Sequence, residues 1–243
     1  YWIVDADTIK DSSITMKMDT CHSTTAIYGT IGTPEIVLSL SLSDSICVGD
    51  TVLASFKAEN KGEGTAYDVD VRIGGFEELE ETSRSGMWKA DSLVMGDSIS
   101  GNILLKAIKP GHVRMVLTAY YKDGLGRSYE AEAVGEVGIF LKITIGTSPS
   151  GLPIMVDGST FDSPKAFGWA QGTSRDVRAV SPVKEGEGKR YVFEVWNDGD
   201  TTNPRVITVG NSNADYIANY KVQYYLEADV EGRGNVELSP EGP

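Results

Sequence analysis

Two cysteines, two histidines, nine prolines and no Asn-x-Ser/Thr sequon in 243 residues exclude several classes of protein at once. Two thiols permit one bridge, so the chain is no disulfide-dense scaffold. There is no Cys/His set at zinc-ligand spacing and no twelve-residue calcium loop of the EF-hand kind. No window approaches ~18 consecutive apolar residues, and Tyr1 opens no charged-then-apolar leader, so no membrane span or signal segment is visible; any anchor would lie outside this chain. Basic residues are also few. Lys and Arg total 22 against 35 Asp and Glu, a net charge of −13, which argues against a binder of nucleic-acid phosphates.

What is abundant is glycine, 27 residues, scattered singly between short apolar runs of period two. Val52, Ala54, Phe56 and Ala58 alternate with polar neighbours. So do Tyr67, Val69, Val71 and Ile73, and again Val113, Met115, Leu117 and Ala119. Tyr191 to Trp196 forms a fourth such run. Period two places alternate side chains on opposite faces of a strand. Turn signals separate the runs: Asn60-Lys61-Gly62, Lys109-Pro110-Gly111, Asp123-Gly124, Asp157-Gly158 and Asn197-Asp198-Gly199. Strands at this spacing, with no helical pattern between them, predict an all-β chain of tandem Ig-like β-sandwich domains. Residues 77–97 are ambiguous and read as a short helix or a long loop.

Two larger units emerge. Residues 34–140 carry Val48-Gly49-Asp50-Thr51-Val52, Glu59-Asn60-Lys61-Gly62, Ala66-Tyr67-Asp68-Val69-Asp70-Val71, Leu93-Val94-Met95-Gly96-Asp97-Ser98 and Lys109-Pro110-Gly111-His112-Val113. In that order they resemble the Ig-like CARDB modules of archaeal S-layer-type surface proteins and their bacterial adhesion relatives. Residues 141–222 carry Thr147-Ser148-Pro149-Ser150-Gly151-Leu152, Val156-Asp157-Gly158, Phe167-Gly168-Trp169, Arg190-Tyr191-Val192-Phe193, Trp196-Asn197-Asp198-Gly199 and Asn219-Tyr220. This stretch is similar to a β-domain repeated in secreted surface proteins. Residues 1–33 read as terminal strands of a preceding module or an N-terminal β segment, and 223–243 as the start of a further β-repeat. Ile145-Gly146 reads as a short linker that restricts bending between modules. The chain is expected to be a slice of a longer array.

Candidate sites compete with plainer readings. Gly96-Asp97-Ser98 echoes a lipase-like nucleophile block, and His22 and His112 are the available bases. A Ser–His pair needs contact and an orienting carboxylate, whereas a turn at Gly96 and a strand start at His112 explain the same residues, so no enzyme is expected. Glu77, Glu78, Glu80 and Glu81, and Asp198 with Asp200, are candidate calcium ligands, against solvated acidic loops. Trp88, Trp169, Trp196 and Tyr191 offer a glycan platform. Against it, Trp169 and Trp196, the two glycan-contact candidates, look like core wedges; Phe167 shares strand parity with Trp169, and Val192 with Trp196. Cys21 and Cys47 form one bridge or remain separate buried thiols. Tyr1-Trp2-Ile3-Val4 is either a strand free to complete a neighbour's sheet or a truncated strand.

The resemblance implies a non-catalytic structural segment of an extracellular, cell-surface protein of S-layer or stalk type, acting as spacer and lattice or adhesion contact. Its partners would be copies of itself, other surface-layer proteins or surface glycans, with no cofactor unless calcium. The alternative is an accessory or glycan-binding part of a secreted hydrolase.

Overall fold

The computed structural model describes residues 32–225 and, before them, the backbone of three short strands. β1 (Trp2–Val4), β2 (Asp7–Ile9) and β3 (Thr24–Ala26) form an antiparallel sheet with β1 in the middle. Both edges of β1 are thus paired, unlike the free strand considered above. Cys21, His22 and residues 226–243 lie outside the described residues.

Among the described residues every regular element is a strand. The chain is all-β, two Ig-like sandwiches in tandem. In the first, β4 (Ile36–Ser41), β6 (Thr51–Asn60), β10 (Ser98–Ala107) and β8 (Leu79–Gly86) lie in that order in one antiparallel sheet. The facing sheet runs β5 (Ser45–Cys47), the first part of β12 (Ser128–Ser148), β11 (Gly111–Lys122), β7 (Ala66–Gly74) and β9 (Lys89–Leu93). Its neighbours are antiparallel except β5, which runs parallel to β12. The ambiguous residues 77–97 therefore form β8, β9 and their turns, neither a helix nor a loop. The predicted rows on β6 and β11 are buried at every position, and packing these two inner faces together removes them from water, the main stabilising term.

The second sandwich pairs β14 (Ser159–Asp162), β13 (Pro153–Val156), β16 (Ser174–Ala179) and β19 (Arg205–Thr208) in one sheet. The other sheet runs β17 (Val183–Glu185), β18 (Lys189–Trp196), β20 (Ala214–Tyr224), the last part of β12, and β15 (Lys165–Trp169). Val156 pairs with Ser159 around a two-residue turn. There Asp157 and Gly158 take φ of 47° and 81°, the left-handed pair that a hairpin turn of this length requires.

Two β-bulges shift the predicted parity. Asp68 sits at φ 51°, where β7 slips against β11 between Tyr120 and Lys122. Beyond the bulge Ala66 is buried and Tyr67, expected inside, is exposed. In β18 the register shifts between Phe193 and Val195, so Tyr191 and Phe193, not Val192, join Trp196 against the second core. One extra residue on one strand re-aims all that precede it.

Two buried polar side chains tie the first sandwich's loops. Asn60 Oδ1 accepts from the N–H of Glu35 and of Gly62, each at 3.1 Å. Its Nδ2 donates to the carbonyls of Gly64 and Leu93 at 2.7 and 2.8 Å. Asp123 accepts from the N–H of Leu125 and of Arg127, from Arg127 Nε, and from the Tyr129 hydroxyl. Burial opposes the Asp123 charge, but these donors outweigh it and hold the carboxyl at about 2.

Asn60→Ala strands four backbone groups and is expected to cost about 2–4 kcal/mol in urea unfolding. Asp123 titrates lower in the folded chain than the ~3.9 of an unfolded aspartate, so its contribution is complete above pH ~4 and is lost as pH falls through about 2. The Tm gap between wild type and Asp123→Asn should therefore narrow across that window. A gap unchanged from pH 7 to pH 2 would contradict this role.

Candidate functional site

The junction between the sandwiches is built on β12. This strand is 21 residues long, about 70 Å at the usual strand rise. Residues Ser128 to Ile139 pair with β11, and Gly138 to Phe140 with β5. Leu141 to Ile145 then pair with β15, and Ile143 to Ser148 run parallel to β20. Val137, Ile139, Leu141, Ile143 and Ile145 are all buried in one unbroken alternation. The first two belong to the first sandwich's core and the next three to the second's. No residue is left over to serve as a linker. Ile145-Gly146, expected to be one, lies inside β12 with both residues buried.

Side contacts lock the handover. Val48, just past β5, packs against both cores. Its N–H donates to the Phe140 carbonyl at 2.8 Å. Its carbonyl accepts from Asn213 Nδ2 at 3.0 Å, and Asn213 Oδ1 accepts from the Lys142 N–H at 2.9 Å. One amide side chain thus bridges the end of β5, the crossing strand and the approach to β20. Gly168 of β15 packs so closely here that a Cβ would stand 3.2 Å from Cys47 Sγ and 3.4 Å from Phe140 Cβ. Burial, and then the nearby Asp50 carboxylate, push the Cys47 thiol up, which favours its protonated form. Its suggested partner Cys21 lies outside the described residues.

The other candidates fall elsewhere. Ser98 opens ten-residue β10 at the end remote from the turn that leads to β11, which sets it about 30 Å from His112. His112 is exposed on the opposite sheet, 3.7 Å from Glu136, so no nucleophile–base pair forms between them. Glu77 and Glu78 occupy the turn before β8, and Glu80 and Glu81 its first residues. Glu81 holds Arg84 through both oxygens. Among the described residues no three His, Cys, Asp or Glu side chains converge as a metal site.

Asp198 and Asp200 do converge, on an arginine. Arg205 reaches Asp198 at 2.8 Å and Asp200 at 3.4 Å, with its guanidinium 5.4 Å from the Trp196 ring centre and 5.3 Å from that of Tyr216. The Arg205 hydrogen bond holds the Asp198 carboxyl below its ordinary value, and the Thr202 N–H does the same for Asp200. The chain itself thus sets a cationic side chain against this acidic pair.

Trp196 is 1% exposed and Trp169 6%, leaving a sugar ring no free indole face at either. Trp169 stacks on Phe167 at 5.1 Å. Trp196 lies 5.6 Å from Phe193 and donates to the Thr202 carbonyl. Tyr191 packs at the edge of the same core and accepts from Lys189 Nζ, while Trp88 lies between Phe56 and Arg84 in the first sandwich. Sequence reasoning passed over Val48, Phe140, Gly168 and Asn213. The unbroken alternation from Val137 to Ile145 could have located Phe140, whereas nothing in the local pattern marks Asn213.

No family model matches the chain, and no curated protein matches it, so the resemblances to surface-layer modules gain no related sequence. Among solved structures, the major pilin subunit BcpA of Bacillus cereus is similar over 85% of this chain and 76% of that one, at 9% identity and a TM-score of 0.35. A cohesin module from a Clostridium perfringens family 33 glycoside hydrolase is similar over 44% of this chain and 98% of its own, at 14% identity and a TM-score of 0.27. The GAE domain of GGA2p from Saccharomyces cerevisiae is similar over 43% and 96%, at 10% identity and 0.32. These likenesses concern β-sandwich fold alone.

If Arg205 is the resident cation of its loop, millimolar calcium should leave the Tm of the wild-type chain unchanged. Arg205→Ala should lose about 1 kcal/mol, since it removes the partner of two half-exposed carboxylates and uncovers Trp196. A calcium-dependent rise in wild-type Tm would contradict this assignment.

Proposed function

We propose that this chain is a non-catalytic structural segment of an extracellular, cell-surface protein, a stiff spacer that sets the distance and orientation of whatever it joins. The observation that carries the reading is the passage of one strand through both cores. Bending a tandem protein at its junction normally requires only rotation about linker φ and ψ. Here it requires breaking sheet pairing on both flanks of Phe140 and opening the Val48–Asn213 bridge. A spacer depends on such a junction.

The ordered motifs that resemble S-layer-type and secreted repeat modules support the surface location, and the excess of acidic residues resists nonspecific association. Function argued from architecture rests on association, so two experiments carry the test. Residual dipolar couplings of the whole chain should fit a single alignment tensor across both sandwiches. Independent tensors would remove the spacer. On intact source cells the protein should react with a membrane-impermeant amine label. Labelling only after lysis would remove the surface location and leave the stiffness untouched.

A further inference from the structure

Stiffness against bending does not imply strength under tension, and the register of the terminal strands bears on the second. Within the second sandwich the chain arrives on β12 and departs on β20. These two are parallel neighbours over six residue pairs, from Ile143 with Ala214 to Ser148 with Asn219. Parallel neighbours have their arriving and departing ends at opposite ends of the pair. Pulling the chain by its termini therefore slides β12 and β20 past each other and loads all their hydrogen bonds together. A hairpin pulled from adjacent ends would open one bond at a time. Both strands are also interior to their sheet: β15 pairs with β12 on its other side, and β18 with β20 on its other side. Neither can leave without breaking two ladders.

The first sandwich has the same sense of loading with fewer restraints. Its arriving strand is split into β4, on the edge of one sheet, and β5, on the edge of the other. β4 pairs with β6 alone, over six residue pairs. β5 is held by three parallel pairs to β12, flanked by Gly138 N–H to the Asp44 carbonyl and Val48 N–H to the Phe140 carbonyl. β12, which departs from this sandwich, is the same strand that arrives in the next, so force crosses the junction along continuous backbone without a compliant segment.

We propose that the chain is a tension-bearing element with two shear clamps in series, the first sandwich yielding before the second. The first acts as an extensible reserve: it lengthens the molecule while the β12–β20 clamp holds. This goes beyond the spacer reading, since a rod that resists bending can still part easily when pulled, and it holds wherever the protein resides.

Single-molecule stretching of the whole 243-residue chain, tethered at its termini, tests the proposal. At the usual extended length per residue, opening residues 36–140 releases about 350 Å and opening residues 143–219 about 260 Å. Residues 2–26 can add no more than about 90 Å, so the events are told apart by length. The longer release, from the first sandwich, should come first and at the lower force. Val48→Pro removes the donor to Phe140 at the position before Gly49 (φ 97°), where the turn tolerates proline. It should lower the force of the longer release and leave that of the second sandwich unchanged. Asn213→Ala, which keeps that N–H and removes the side-chain bridge, should do so more weakly. Forced rupture reads the unfolding rate rather than the equilibrium stability, so chemical denaturation of each variant separates a weakened clamp from a weakened fold. The proposal is overturned if the second sandwich opens first, if both open without a resolvable force peak, or if folded Val48→Pro leaves the first sandwich's release unaltered. Any of these alongside a single alignment tensor would leave the spacer standing and remove the clamps.

Discussion

Two hydrophobic cores share one strand, and the shared strand keeps the same residues facing inward throughout. A strand can serve two sandwiches in succession only if its period-two alternation carries through the boundary, because a slip of one residue would turn every later side chain outward. From Val137 to Ile145 the alternation does carry through. The pairing changes from β11 to β15 on one side of β12 and from β5 to β20 on the other. Backbone N–H and C=O groups near the boundary thus pass from one sandwich's partners to the next, with the Asn213 amide completing the ladder at Lys142. A flexible linker would have left those groups to water. The closed ladder leaves no soft torsion.

The polar residues that the core does admit fasten loops. Asn60 fills all four of its hydrogen-bonding positions with backbone groups from three segments, so its burial costs little and its removal costs much. Asp123 does the same for the β11–β12 hairpin with a charge. Arg205 closes the Asp198–Asp200 loop onto the face of Trp196. Each is a local charge or amide whose partners lie within its own fold unit, the pattern of residues that specify structure.

The sequence made the strands legible because most are half-buried, and a half-buried strand announces itself by alternation. The rows on β6 and β11 could be read residue by residue for this reason, and the Asp157-Gly158 hairpin by its turn chemistry. Three things were hidden. The bulges at Asp68 and near Glu194 reverse parity without altering composition, so Tyr67 and Val192 lie on the face opposite to the one that alternation predicts. β8 carries Leu79 inside and polar residues almost everywhere else, so it shows no alternation and resembles a loop. The linker expected at Ile145-Gly146 is strand, because the hydrophobic pattern runs straight through the change of core near residue 140. The candidate functional residues were hidden more deeply: Asn213 acts on Val48, distant in sequence, and no spacing rule reaches that far. The acidic pair at Asp198 and Asp200 was legible as a pair, while its partner was legible only in the folded chain.

The most direct test of the shared strand is residue-by-residue amide hydrogen exchange across the boundary. In β12 the N–H groups of Ile139, Leu141 and Ile143 fall on ladders to β11 and β15 and should exchange as slowly as those of Leu117 and Trp196 in the two cores. A fast-exchanging window between Ile139 and Ile143, flanked by protected residues on both sides, would mean that the sandwiches are joined by a hinge and that the account is wrong.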